Sequence, residues 1–410
     1  METKVVPTKA QLRYDPFDWL DQMTTGDEAV GLCHFTPSSS YTTFLASCYG
    51  LFARNLFGMV ETLSDGQRSE WIRYISAHQQ EANGLFMDPL LQKDELPATG
   101  HNWEYATWEF TNFGLGALEI LGERSRHPLF FVDEFLNTHP IVPWLESLNW
   151  RNPWLESNRV MYLCTFLFRE WERTGDERYK SAIDGLFDWL DLNQDPRTGF
   201  WGTDQDRDML NAMAGAYHFY FFYFYMGRKV NYVNQILDNT LALQEPDGLY
   251  DPRGGGGACL DLDAIDILVK FSYLTDYRAR EIKGSLSRSF KAIVANQNED
   301  GGFCECKRPS IATRSRRRAL LEAVGLDRVF KPRVIEKPAE YKRQIKWEKM
   351  RYRVDESNLW ASWFRPLALA LISRRYPGEF IDDIEWHFGK GPFIGWHDEQ
   401  RLKDLAKSFS

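Results

Sequence analysis

Apolar and polar positions fall along this chain in alternating blocks. Segments dense in large apolar side chains at helical spacing are separated by segments whose apolar residues keep to a single stripe. The dense blocks run from Tyr41 (Phe44, Leu45, Leu51, Phe52, Leu56), from His101 (Trp103, Trp108, Phe110, Phe113, Leu118), from Glu156, from Asp208, from Asp261 (Ile265, Leu268, Val269) and from Asp355 (Trp360, Trp363, Leu367). The block from Asp208 carries nine consecutive aromatic residues, Tyr217 to Tyr225, and a helix aromatic all round is buried all round. The stripes at 67–80, 129–148, 177–192, 229–243 and 278–296 read as amphipathic partners. The pattern predicts an all-α chain of buried helices, each paired with a surface helix.

A recurring turn separates the pairs. It is seen at Gln244-Glu-Pro-Asp-Gly-Leu-Tyr and Gln297-Asn-Glu-Asp-Gly-Gly-Phe, more loosely at Gln194-Asp-Pro-Arg-Thr-Gly-Phe-Trp, and weakly at Gln80-Glu-Ala-Asn-Gly-Leu-Phe. Its glycines, Gly199, Gly248 and Gly302, are spaced by 49 and 54 residues, and Gly84 lies 115 before Gly199. That spacing places a degraded copy near Asn149–Asn152. One helix pair per period, six apolar segments, and inner segments too apolar for an open concave face predict an (α/α)6 toroid of six inner and six outer helices. Residues 1–40 read as an N-terminal arm and 41–410 as one domain.

Composition changes this picture in two places. The net charge of -9 argues against nucleic acid as a partner, yet Lys307 to Arg353 holds sixteen Lys or Arg against five Asp or Glu, a net +11. This long basic insertion, 307–354, reads as a flap over an anionic ligand, with Arg316, Arg317 and Arg318 at its densest part, or as a dock for an acidic partner or a peripheral contact with a membrane surface. No apolar run is long enough to span a bilayer, and Met1 to Asp15 lacks the basic start and apolar centre of a signal peptide. A cytoplasmic location and six reduced cysteines are expected.

Candidate chemistry gathers where the inner helices begin. After four glycines, Asp261, Asp263 and Asp266 enter an otherwise apolar helix, more carboxylates than capping requires. His101 and Glu104, Asn158, Asp208 with Asn211, and Asn358 open other inner helices, so a toroid would bring them to one rim. Trp103, Trp108, Tyr217, Tyr220 and Trp360 are the expected walls of an aromatic well below it. Cys304 and Cys306 have no second ligand pair, and no metal site is expected.

The Gln–Asp-Gly–aromatic turn before an inner helix resembles the repeat of the terpenoid cyclase and protein prenyltransferase superfamily. Asp261-Leu-Asp-Ala-Ile-Asp stands where class II terpene cyclases of that superfamily carry Asp-x-Asp-Asp, with Ala264 in place of the third Asp. The resemblance implies an α/α toroid in which Asp263 is the general acid that protonates an alkene or epoxide, with Asp261 and Asp266 tuning it. It implies an isoprenoid substrate and no cofactor, with Mg2+ only for a diphosphate. The zinc-dependent branch is not matched, because Cys259 and Asp261 stand in the reverse order. The residues taken alone also fit a carbohydrate-active six-pair barrel (lyase, epimerase or glycosidase) acting on an anionic sugar, with Asp263 and Glu104 or Asp208 as acid and base. A binding toroid without chemistry is the third reading.

Overall fold

The computed structural model of the protein describes residues 12–25, 31–96, 101–137, 140–203, 208–252, 254–307, 340–342, 347–381 and 383–409. Among these the chain is helical, and its strands amount to one short antiparallel pair, β1 (Glu340–Lys342) with β2 (Arg351–Arg353). The basic triplet Arg316–Arg317–Arg318 lies outside the described residues.

Six helices carry the dense apolar blocks: α2 (Phe44–Leu56), α4 (Trp103–Ile120), α7 (Pro153–Thr174), α9 (Met209–Met226), α11 (Ala258–Phe271) and α13 (Leu359–Arg375). Five of them start on a short polar side chain that accepts a first-turn amide: Thr43, Asn102, Asn152, Asp208 and Asn358. The sixth, α11, has Gly257 as its N-cap and begins at Ala258, three residues before the expected Asp261. As its aromatic sequence requires, α9 is buried on every side from Ala212 to Phe224. Each of the six packs on the next, and α13 packs on both α11 and α2, so the order of neighbours returns to its start.

The surface helices are less regular than the sequence suggests. α3 (Asp65–Ala77) packs on α4, α8 (Glu177–Asn193) on α7, α10 (Val233–Ala242) on α11, and α12 (Ala279–Val294) on α11 and α13. The single helix expected across 129–148 is instead a 3-10 turn at 130–132 followed by α5 (Asp133–Asn137) and α6 (Ile141–Ser147). Pro140, without an amide and with its φ fixed, stands at the break as the N-cap of α6. The position before α2 is held by the short α1 (Pro16–Gln22).

A glutamine at each turn ties one repeat to the next. Gln79, Gln194, Gln244 and Gln297 donate to the carbonyl of their own turn glycine, Gly84, Gly199, Gly248 and Gly301. They also donate to the backbone that leads into or lies within the next surface helix, at His127, Asn231, Ser285 and Tyr14. The glycines take φ values of +80°, +77°, +91° and +97°. A Cβ on Gly84 or Gly301 would lie 2.0 Å from the carbonyl oxygen of Pro128 or Asp15. Two expected positions therefore shift by one residue: Gln79 replaces Gln80, and Gly301 replaces Gly302. The last staple reaches the N-terminal arm, where Gln297 also accepts from the amides of Arg13 and Tyr14. The degraded copy at 149–152 is a tight turn, with Trp150 donating its indole N–H to the Leu145 carbonyl.

The basic insertion returns to the body at Trp347, which is fully buried, edge-on to Phe110, and donates to Glu95 at 2.9 Å. Lys349 pairs with the same carboxylate. The six cysteines are free thiols. No helix among the described residues is long and apolar enough to cross a membrane.

Candidate functional site

The three carboxylates of α11 separate because successive helical residues are about 100° apart. Asp261 turns towards α13, where it pairs with Arg365 at 2.7 Å with both side chains fully buried. Its oxygens also accept from the amides of Tyr250 (2.7 Å) and Gly257 (2.9 Å). Arg365 in turn donates to the Glu305 carbonyl, and the Glu305 carboxylate takes the Ala258 amide at the start of α11. Asp261 is therefore the joint that fixes α11, the glycine loop and α13 together, and is not free to tune a neighbouring acid.

Asp263 and Asp266 fall on another face, which Cys259 and Lys270 share at spacings of three and four residues. Tyr217 of α9 faces this stripe. Burial raises its hydroxyl well above the usual phenol range, and the charges of Asp266 and Asp263 add to the effect. Asp266 is paired with Lys270 at 2.7 Å, both almost fully buried, and the Lys270 ammonium sits 5.4 Å from the centre of the Trp396 ring. Burial pushes the Asp266 carboxyl up and the Lys270 amine down, each opposed by the other's charge. Like Asp261, Asp266 is committed to a cation. Asp263 is buried as well, with 2% of its surface exposed.

Other buried helices carry further buried polar groups. On α4, Tyr105, Glu109 and Asn112 share one face, and Tyr162 of α7 meets it, with its hydroxyl 3.5 Å from both the Tyr105 hydroxyl and Asn158 Oδ1. Burial raises the Tyr162 hydroxyl far above its ordinary value, with Tyr105 and Glu109 contributing. Tyr49 of α2 and Trp360 of α13 continue the lining with ring centres 5.0 Å apart, and Trp360 stacks on Phe364 at 4.1 Å. Among the described residues, the Tyr217 hydroxyl and both polar atoms of the fully buried Asn112 amide meet no hydrogen-bond partner.

Several expected site residues belong elsewhere. Trp108 faces the surface layer, packed against Phe131, Phe135, Trp144 and Phe166, because a position three residues from Tyr105 also lies next to the gap filled by α5 and α6. Tyr220 likewise points outwards and donates to the Gly199 carbonyl at 2.7 Å, supporting a turn instead of walling a cavity. Asp208 and Asn358 are helix caps, and Asn211 joins α9 to α7 through the Trp154 amide at 3.1 Å. Glu104 is half-exposed and paired with Arg159, which also holds Glu156. His101 lies at the same rim, edge-on to Tyr105 at 4.8 Å, with Trp103 half-buried beside it. Asn158 donates to the Trp154 carbonyl. His218 is a core residue bonded to Ser157 at 2.8 Å, its pKa lowered to about 3 by burial.

From the expected set the structure groups Asp263, Asp266 and Tyr217, to which it adds Lys270, and in a second group Asn158 and Trp360, to which it adds Tyr49, Tyr105, Glu109 and Tyr162. The signal for the additions was present as polar residues three, four or seven apart inside apolar helices. Among the described residues no group of three or more His, Cys, Asp or Glu is placed to hold a metal ion. No protein-family model and no curated protein matches the chain.

Proposed function

We propose that the six buried helices form an (α/α)6 toroid whose interior takes a small polyhydroxylated molecule, and that the chain is a carbohydrate-active enzyme in which Asp263 transfers a proton to or from a sugar oxygen. Two features support the toroid: the order of helix packing that returns from α13 to α2, and the staple from Gln297 to the N-terminal arm.

The observation that carries the substrate class is the polar interior. Leaving the Asn112 amide and the Tyr217 hydroxyl buried without partners costs about 1–3 kcal/mol per group, and a ligand rich in hydroxyls would repay it. A hydrocarbon would not. Tyr49, Tyr162 and Trp360 offer rings for stacking, and Asp263 is the carboxyl positioned for acid or base work. The terpenoid-cyclase-like reading draws on the same aromatic group of Tyr49, Trp360, Trp363 and Phe364, whose faces would suit a carbocation. Both readings assign the acid to Asp263, and they differ in what surrounds it.

Isothermal titration calorimetry with a panel of neutral and uronic oligosaccharides, and separately with farnesyl diphosphate, tests the choice. The proposal expects binding by a member of the sugar panel and its loss in Asn112→Leu. Binding of farnesyl diphosphate alone, unchanged in Asn112→Leu, would favour the terpenoid reading.

A further inference from the structure

The end of the ring at which the inner helices finish is closed by an irregular segment, Trp386 to Asp398, which buries one histidine without hydrogen-bond partners among the described residues. Phe393 enters against Gly116, where a Cβ would come within 2.8 Å of its ring, and lies among Phe52, Phe113 and Trp363. Trp396 covers the Lys270 ammonium and meets Tyr225 edge-on. His397 follows, nine-tenths buried between the rings of Phe388 and Tyr273, and among the described residues neither ring nitrogen has a hydrogen-bond partner. Open clefts flank the segment on both sides. One of about 330 Å³ is lined by Glu119, Arg169, Tyr225 and Lys390, and one of about 570 Å³ by Arg374, His397 and Lys403.

We propose that residues 386–398 form a detachable strap over this end of the ring, with His397 as a catch that lets go when it takes a proton. The strap is well held at its start, where His387 bonds the Leu56 carbonyl and pairs with Glu61 at 3.0 Å. Release therefore concerns 389–398. Around His397 the charges are cationic: Lys270 from α11, with Asp266 already engaged to it, and Arg374 from α13. From the strap and α14 (Glu399–Phe409), Lys390, Asp398, Glu399 and Lys403 border the outer cleft, where Glu399 is taken by Arg374 and Lys403. Burial first, then Lys270 and Arg374, lowers the His397 pKa from the ordinary 6.5 to about 3.

The sign follows. A histidine whose pKa is depressed when closed is stable there as the neutral ring, so closure is fully favoured above pH 6.5 and is lost as pH falls below it, until both states carry the proton near pH 3. At pH 5 the open state gains about 30-fold over its share at pH 7.5 if the released imidazole titrates normally. Release would open the interior at the end opposite the rim that carries His101 and Glu104.

Amide hydrogen exchange on the full chain tests this without any ligand. The amides of Gly389 and Trp396, bonded to Gly395 and Phe393 carbonyls at 3.1 and 3.0 Å, report the strap, and α12 serves as reference. After correction for intrinsic rates, strap protection should fall about 30-fold between pH 7.5 and 5 while α12 stays constant. His397→Gln and His397→Phe should remove the dependence. Constant strap protection in the wild type, or an equal fall in both variants, overturns the proposal.

Discussion

Replacing Asp261 with alanine tests whether that residue is a helix cap or a structural joint. A capping role alone predicts a loss of about 1 kcal/mol. The structure predicts far more, because the substitution leaves the guanidinium of Arg365 fully buried without its counter-charge, a change that costs about 3–5 kcal/mol. The amides of Tyr250 and Gly257 lose their acceptor as well. These losses share one side chain and do not add in full, so the expected destabilisation is about 4 kcal/mol or more. Urea unfolding followed by far-ultraviolet circular dichroism measures it as a shift in midpoint, with the slope checked for constancy. The double variant Asp261→Asn with Arg365→Met removes both charges and should recover about half of the loss. An Asp261→Ala variant within about 1 kcal/mol of wild type would refute the joint and return Asp261 to the role of a cap.

Other outcomes follow from the same geometry. Gln297→Ala removes bonds to Gly301, Tyr14 and Arg13, and should destabilise by about 2 kcal/mol and expose residues 12–22 to proteolysis, which a time course of limited trypsin digestion reads directly. Asn112→Leu should raise the thermal midpoint of the ligand-free chain, equivalent to about 1 kcal/mol, because it replaces an unpartnered buried amide with a side chain of similar volume; a scanning calorimeter would show the opposite if the amide were satisfied. Replacing Arg316, Arg317 and Arg318 together with alanine should weaken binding of an anionic oligosaccharide and flatten its salt dependence while leaving the thermal midpoint unchanged, as calorimetric titration at two ionic strengths would record.

Much of this architecture can be read from residue order. Block patterning places all six buried helices, since side chains such as the Tyr217–Tyr225 run leave no polar face for water, and the recurring turn marks the repeat. The surface layer is less legible: Pro140 breaks one helix into pieces, and α1 is too short for its seven residues to show a periodicity of their own. At the site, sequence proximity misleads. Asp261, Asp263 and Asp266 look like one cluster, yet helical rotation sends Asp261 to Arg365, which lies 104 residues away, and gives Asp266 to Lys270. Tyr220 and Trp108 are as aromatic as Tyr217 and Trp360, and only the angular position of each side chain decides which face the interior. Glu109 and Asn112 escape notice because single polar residues in apolar helices are common, and their meaning appears only when Tyr162 is seen to face them.

The central claim is that the ring interior is built for an oxygen-rich molecule handled by Asp263. Native mass spectrometry of the protein purified from its own host, wild type beside Asn112→Leu, tests it most directly. The account predicts a bound species in the wild type whose exact mass is that of a polyhydroxylated compound, and its absence from the variant. A bound species with the hydrogen-rich mass of an isoprenoid, retained in Asn112→Leu, would contradict it.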